Sequence, residues 1–176
     1  VGYGAKKNKK STTLGSVVKV EEQAEKEITP QPVIGKRSYQ KYLKENLVRP
    51  ADEKCAQVKG KVVLINIFAT WCGPCQSELA EVQKILWPKY KNNKDFCMLV
   101  IGREHTDDQL AEYNKRKRFT FPLYPDPKRE VTGKFATKMI PRSYLINKEG
   151  KVISATTGYE DGAIDTLMKQ IDKALK

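Results

Sequence analysis

Trp71-Cys72-Gly73-Pro74-Cys75 is the stretch around which this 176-residue sequence is organised. A nearly unbroken apolar run, Val62 to Phe68, leads into it, and Leu79, Val82, Ile85 and Leu86 follow at helical spacing. That pattern predicts a strand, a turn and a helix. Two thiols separated by two residues at a helix start can close into a small disulfide ring, and the amide dipoles there favour a thiolate on the first. The chemistry to expect is thiol and disulfide exchange. Pro74 suits the first helical turn, where its missing N–H costs nothing, and Pro88 is expected to stop the helix about four turns later.

Other uses of the pair are weaker. Zinc normally takes four ligands, whereas this sequence offers one Cys-x-x-Cys pair, one histidine and two scattered cysteines. A purely structural disulfide over so tight a loop would constrain the unfolded chain little.

The length allows one ordinary domain with a sizeable core plus an arm. No run of about 18 apolar residues is present, so the chain as given is expected to be soluble. It begins at Val1 with no signal-peptide core, which suggests a processed piece. Net charge is +12, with basic clusters at Lys6–Lys10 and Lys115–Arg118. Neither has interleaved aromatics for base stacking, and the second closes a predicted helix where cations complement the dipole. Both read as solvated, and no nucleic-acid partner is expected.

Residues 1–32 are rich in Gly, Ser, Thr, Lys and Glu and end in Pro30-Gln31-Pro32, as an arm or linker would. Within them only Val17, Val18 and Val20 suggest a short strand. Residues 33–59 form a short extension in which Tyr39, Tyr42, Leu43 and Leu47 predict a helix over Lys36–Leu47. Residues 60–176 carry the rest: a buried strand Val62–Phe68 interrupted by Asn66, the cysteine helix, a second strand Phe96–Ile101, and a helix opened by the capping box Thr106-Asp107-Asp108-Gln109. Phe121–Pro127 cannot be helical, and a short helix over Lys128–Thr137 is expected next. Strands Ser143–Ile146 and Lys151–Ala155 flank the turn Asn147–Gly150, and Ile164, Leu167, Met168, Ile171 and Leu175 mark a terminal amphipathic helix. The expected order is βαβαββα in an α/β fold.

With that order and the Trp71–Cys75 motif, residues 60–176 resemble the thioredoxin superfamily, and within it the TlpA/ResA-like extracytoplasmic thiol:disulfide oxidoreductases. Gly60-Lys61-Val62-Val63-Leu64-Ile65-Asn66 is similar to the family's opening strand, with Asn where cytosolic thioredoxins have a buried Asp. Phe121-Pro122, Asp126-Pro127, Ile140-Pro141, Leu145-Ile146 and Lys148-Glu149-Gly150 follow in the family's order. The family's proline after the helix glutamate is missing here, since Glu78 is followed by Leu79-Ala80, and its N-terminal hairpin is not legible before Gly60. Val1-Gly2-Tyr3-Gly4-Ala5-Lys6-Lys7, followed by Gly15-Ser16-Val17, resembles the start of SusC-type plugs, and Tyr42–Leu47 with Pro50 resembles the opening helix of TonB C-terminal domains. No TonB function is carried over.

The resemblance implies a thioredoxin-like fold, a central mixed sheet flanked by helices, behind an N-terminal extension. It implies a catalytic set of Cys72, Cys75 and Glu78. Cys72 is the exposed nucleophile, Cys75 resolves the mixed disulfide, and Glu78 takes or relays the Cys75 proton; a helix-surface carboxylate is the other reading of Glu78. Trp71, Gly73, Pro74, Ile140 and a cis Pro141 are the expected substrate-binding residues, with Trp71 covering the thiols or serving as a core aromatic. No cofactor is expected beyond the redox-active Cys72–Cys75 disulfide, and no metal. Gly-Pro between the cysteines suggests a reductant. Expected partners are proteins bearing disulfides or thiols, an upstream electron donor, membrane-bound or not, and an envelope partner for the arm. The expected location is the periplasm or cell envelope. A thiol peroxidase, or a partner-binding module on the same scaffold, is the alternative. Cys97 reads as buried and inert, Cys55 as free or paired, with spacing unable to say whether Cys55 reaches Cys97 or Cys72. His105 reads as a solvated loop histidine or as one with a role in the site.

Overall fold

Seven consecutive buried residues, Val62–Phe68, make strand β1, which lies at the centre of a five-stranded sheet in the order β3-β2-β1-β4-β5. In the computed structural model Cys55, residues 58–135 and residues 138–176 are described. The arm, the helix expected at Lys36–Leu47 and the strand expected at Val17–Val20 lie outside those residues. Strand β2 (Phe96–Arg103) pairs with β1 in parallel and β3 (Leu123–Asp126) pairs with β2 in parallel, while β4 (Arg142–Ile146) and β5 (Val152–Thr157) add antiparallel. The sheet is therefore mixed.

Alternation along β1 divides the core. Val62, Leu64 and Phe68 join a cluster with Cys72, Cys75, Leu79, Leu110, Tyr113, Ile164 and Ile171, so all the main helices cover that face. Val63, Ile65 and Ile67 point the other way, into a cluster with Cys55, Cys97, Val131, Phe135 and Tyr144. Asn66 falls in register with the first set. One polar residue is thereby aimed beneath the cysteine helix.

Helix α1 (Gly73–Glu81) starts with Cys72 as its N-cap and a proline in its first turn. The chain then widens into a π-helical segment, Val82–Leu86, and closes with Trp87–Tyr90. Pro88 does not stop the helix as expected. The wider turn ahead of it changes which carbonyls face the ring, so the missing N–H and the bulk of the proline are accommodated. Helix α2 (Asp107–Lys117) has the full capping box between Thr106 and Gln109, and ends where Arg118 turns left-handed at φ 57°. Helix α3 (Ala163–Leu175) buries Ile164 and Ile171 against the sheet.

Two further expectations are corrected. The order is βαβαβββα, because Leu123–Asp126 forms a strand that Pro125 had concealed. A proline is tolerated there because β3 is an edge strand and one side of it needs no N–H. The helix expected at Lys128–Thr137 shrinks to a 3-10 turn, Thr132–Lys134, with residues 136–137 outside the described set. The buried Asp126 carboxylate accepts from the Thr132 amide at 2.7 Å, the Thr132 hydroxyl at 2.6 Å and the Val131 amide at 3.2 Å. Those bonds end the strand and begin the turn. Between β4 and β5, the Asn147 side chain accepts from the Glu149 and Lys151 amides, and Gly150 takes φ 82°, so the expected turn forms.

Candidate active site

The site forms where β1 ends and α1 begins. Cys72 and Cys75 are joined in a disulfide with Cα atoms 5.2 Å apart. The Cys72 sulfur accepts from the Cys75 amide at 3.2 Å, as an N-cap side chain does, and lies 3.8 Å from the Ile140 carbonyl oxygen. The Ile140–Pro141 peptide is cis. Of the two cysteines Cys75 is fully buried, and Cys72, expected to be exposed, is only 5% accessible in the closed ring. Trp71 is not a core aromatic: 66% of it is exposed, and the Arg103 guanidinium stands 5.8 Å from its ring centroid. Gly73 and Pro74 are exposed beside the disulfide.

Glu78 is not a surface carboxylate. It is 5% exposed and takes hydrogen bonds from the Asn66 amide nitrogen and, at 3.4 Å, from the Ser143 hydroxyl. Burial raises its pKa from 4.5 to about 7, and the two hydrogen bonds work in the opposite direction. Its carboxyl group thus titrates near neutrality. Glu78 and Ser143 also line a cavity of about 540 Å³ between β5 and α3, together with Ser154, Thr156, Tyr159 and Thr166. Its lining is rich in hydroxyls.

The loop that presents Cys72 is held by residues that sequence reasoning missed or misjudged. Gln76 donates to the carbonyls of Ala69, Thr70 and Cys72 at 3.3, 3.2 and 3.1 Å, and accepts from the Tyr113 hydroxyl of α2. His105 is buried rather than solvated, and its Nε2 accepts from the Thr70 amide at 3.0 Å. No spacing rule marks either residue. Cys97 is not an inert thiol, since it forms a disulfide with Cys55, Cα atoms 5.4 Å apart. That disulfide belongs to the opposite face of the sheet from Cys72 and Cys75. Among the described residues no group of three or more His, Cys, Asp or Glu is placed to hold a metal ion.

A profile described as Redoxin matches residues 42–171, most of the chain. The chain belongs to the redoxin family. Within it, this redoxin is a thioredoxin-like protein of the TlpA/ResA type. It is 32% identical over 101 residues to the thiol-disulfide oxidoreductase ResA of Bacillus anthracis, covering 57% of each chain. With ResA of Bacillus subtilis strain 168 it shares 30% over 105 residues, 58% of this redoxin and 56% of the relative. The match thus spans little more than half the length of those relatives. Among solved structures, a Bacteroides thetaiotaomicron protein provisionally described as a protein disulfide isomerase aligns with TM-score 0.64 and 33% identity, over 67% of this redoxin and 76% of that chain. A Chlorobium tepidum protein provisionally described as the thiol:disulfide interchange protein DsbE gives 0.60 and 27%, over 68% and 83%.

Proposed function

We propose that this redoxin is a thiol:disulfide oxidoreductase acting on other proteins through Cys72 and Cys75. The observation that carries the reading is the Cys72–Cys75 disulfide at the start of α1, with the Cys72 sulfur bonded to the Cys75 amide and facing the Ile140 carbonyl. The same amide that caps the helix stabilises an anionic sulfur once the ring is opened.

In the reduced enzyme the Cys72 thiolate attacks one sulfur of a substrate disulfide. A mixed disulfide forms, and the other substrate sulfur leaves as a thiolate that takes up a proton. The Cys75 thiol gives its proton toward Glu78 and attacks the Cys72 sulfur, which re-forms the ring and releases the second substrate sulfur as a thiol. Two electrons and two protons pass to the substrate. Glu78 suits the proton-holding part because its carboxyl titrates near pH 7. Ile140 and Pro141 offer backbone opposite Cys72 for an extended substrate, while exposed Trp71, Gly73 and Pro74 form the rim it would cross.

Further partners follow from that chemistry. A reductant needs an upstream electron donor to reopen Cys72–Cys75. The buried Cys55–Cys97 disulfide suits a chain that folds in an oxidising compartment, which supports the periplasm or cell envelope. Among the described residues no helix is long and apolar enough to cross a membrane. Residues 1–32 would serve as an arm toward an envelope partner and residues 33–59 as an extension ahead of the 60–176 domain. Replacing Cys72 with Ser tests the assignment: insulin-disulfide reduction is lost with an unchanged far-UV spectrum, and undiminished reduction would end it.

A further inference from the structure

We propose that His105 is a positioning residue for the thiol pair, holding the Thr70 amide and through it the loop that presents Trp71 and Cys72. This rests on the assignment of Cys72 as the nucleophile and extends it to a residue outside the motif.

Four observations meet at this side chain. Its Nε2 accepts from the Thr70 amide at 3.0 Å, two residues before Cys72. The Gln109 side chain, which is itself locked by the α2 capping box because Thr106 N–H donates to its Oε1 at 2.8 Å, also interacts with the ring. The Thr70 bond requires the lone pair on Nε2, which in the neutral ring puts the proton on Nδ1. The imidazole is 7% exposed and packs 6.5 Å from the Phe68 ring, at the end of β1. Finally, Gly102 lets Leu110 of α2 close down beside the ring, since a Cβ there would meet Leu110 at 2.7 Å, while it would meet His105 Cδ2 only in ordinary contact at 3.4 Å.

The bond exists only with a neutral ring. Protonated Nε2 has no lone pair and would set an N–H against the Thr70 N–H. Burial lowers the His105 pKa below 6.5, against opposing contributions from Gln109 and Glu104, and so keeps the acceptor available at neutral pH. The titratable groups around it are Glu104 on its own loop, Asp107 and Asp108 in the first turn of α2, Tyr113 farther along α2 on the same Phe68 ring, and Asp126 on β3, whose carboxylate is turned to Thr132. Gln76 holds the carbonyls of the same loop by bonds that do not titrate. Acidification therefore releases one restraint on the Cys72 loop and leaves the other.

The loop matters to chemistry because the thiolate of Cys72 is stabilised only while its sulfur is aimed at the amides of the α1 N-terminus. With the protein reduced, His105→Phe keeps the ring's bulk without its acceptor, and His105→Gln keeps an acceptor. Iodoacetamide labelling followed by mass mapping, run across pH 5 to 8, reads the reactivity of Cys72. The Phe variant is expected to label Cys72 about fivefold more slowly at pH 7, with the Gln variant recovering most of the rate. In the wild type, the Thr70 amide resonance should shift with the same midpoint as the His105 ring protons, a readout that needs no variant to fold. Equal labelling of wild type and Phe variant, or a Thr70 amide blind to the His105 titration, overturns the proposal. Failure of the underlying assignment looks different: wild-type labelling would then begin at Cys75.

Discussion

Asn66 on β1 and Ser143 on β4 stand directly opposite each other in the antiparallel ladder, and the Asn66 amide nitrogen donates to the Ser143 hydroxyl at 3.0 Å. Both side chains project toward α1, where they meet Glu78. A carboxyl group so enclosed pays for desolvation when it ionises, and its pKa rises from 4.5 to about 7. The folded protein then holds a proton that the unfolded chain releases between those two values. The stability linked to Glu78 is complete below about pH 4.5 and is lost as pH rises to about 7.

That sign gives a first prediction. In the oxidised protein, Glu78→Gln should gain stability relative to wild type between pH 5 and pH 8, by roughly 2 to 3 kcal/mol. Urea unfolding of both proteins at the two pH values measures it. Taking the difference between variant and wild type removes the opposing contribution of His105, whose lowered pKa favours folding as pH rises. A pH-independent difference would contradict the account of Glu78.

The second disulfide leads to another expectation. Cys55–Cys97 closes a loop of 42 residues in sequence separation, on the face of the sheet away from Cys72. Replacing both cysteines with Ala should cost about 2 to 4 kcal/mol of stability while leaving insulin reduction within about twofold of wild type. Loss of activity in a variant that remains folded would place Cys55 and Cys97 in the redox path.

Much of this was legible in the sequence. The β1 pattern, the capping box at Thr106, the turn at Asn147 and the stripe of α3 are each local signals with one physical meaning, and all appear in the fold. Strand β3 was not legible because Pro125 argues against a strand unless the strand lies at an edge, which is a property of the whole sheet. The site divides in the same way. Cys72 and Cys75 lie three positions apart within one motif, whereas the setting of Glu78 depends on a ladder register that pairs residues 66 and 143. His105 reaches Thr70, and Cys55 reaches Cys97, across separations of 35 and 42 residues that no local pattern encodes.

A further prediction concerns the direction of electron flow. A better-stabilised thiolate makes a disulfide a stronger oxidant. Here the intervening residues are Gly73 and Pro74, and a buried carboxyl at Glu78 opposes negative charge on sulfur once it ionises. The Cys72 thiolate is therefore expected to be only weakly stabilised and the couple to lie within about 40 mV of the thioredoxin value, about −270 mV. Equilibration with glutathione buffers measures the potential. A value near −120 mV would make the protein an oxidant of substrate thiols instead.

The most direct test is to stop the reaction between its two steps. Without the Cys75 thiol the mixed disulfide on Cys72 cannot be resolved, so reduced Cys75→Ser protein mixed with a disulfide-bearing protein should accumulate a covalent complex. Non-reducing electrophoresis detects the complex, and peptide mapping locates the bond. A complex linked through Cys72, dispersed by added dithiothreitol and absent from Cys72→Ser/Cys75→Ser, is the predicted result. No complex, or one linked through Cys55 or Cys97, would contradict the assignment of Cys72 as the attacking thiol.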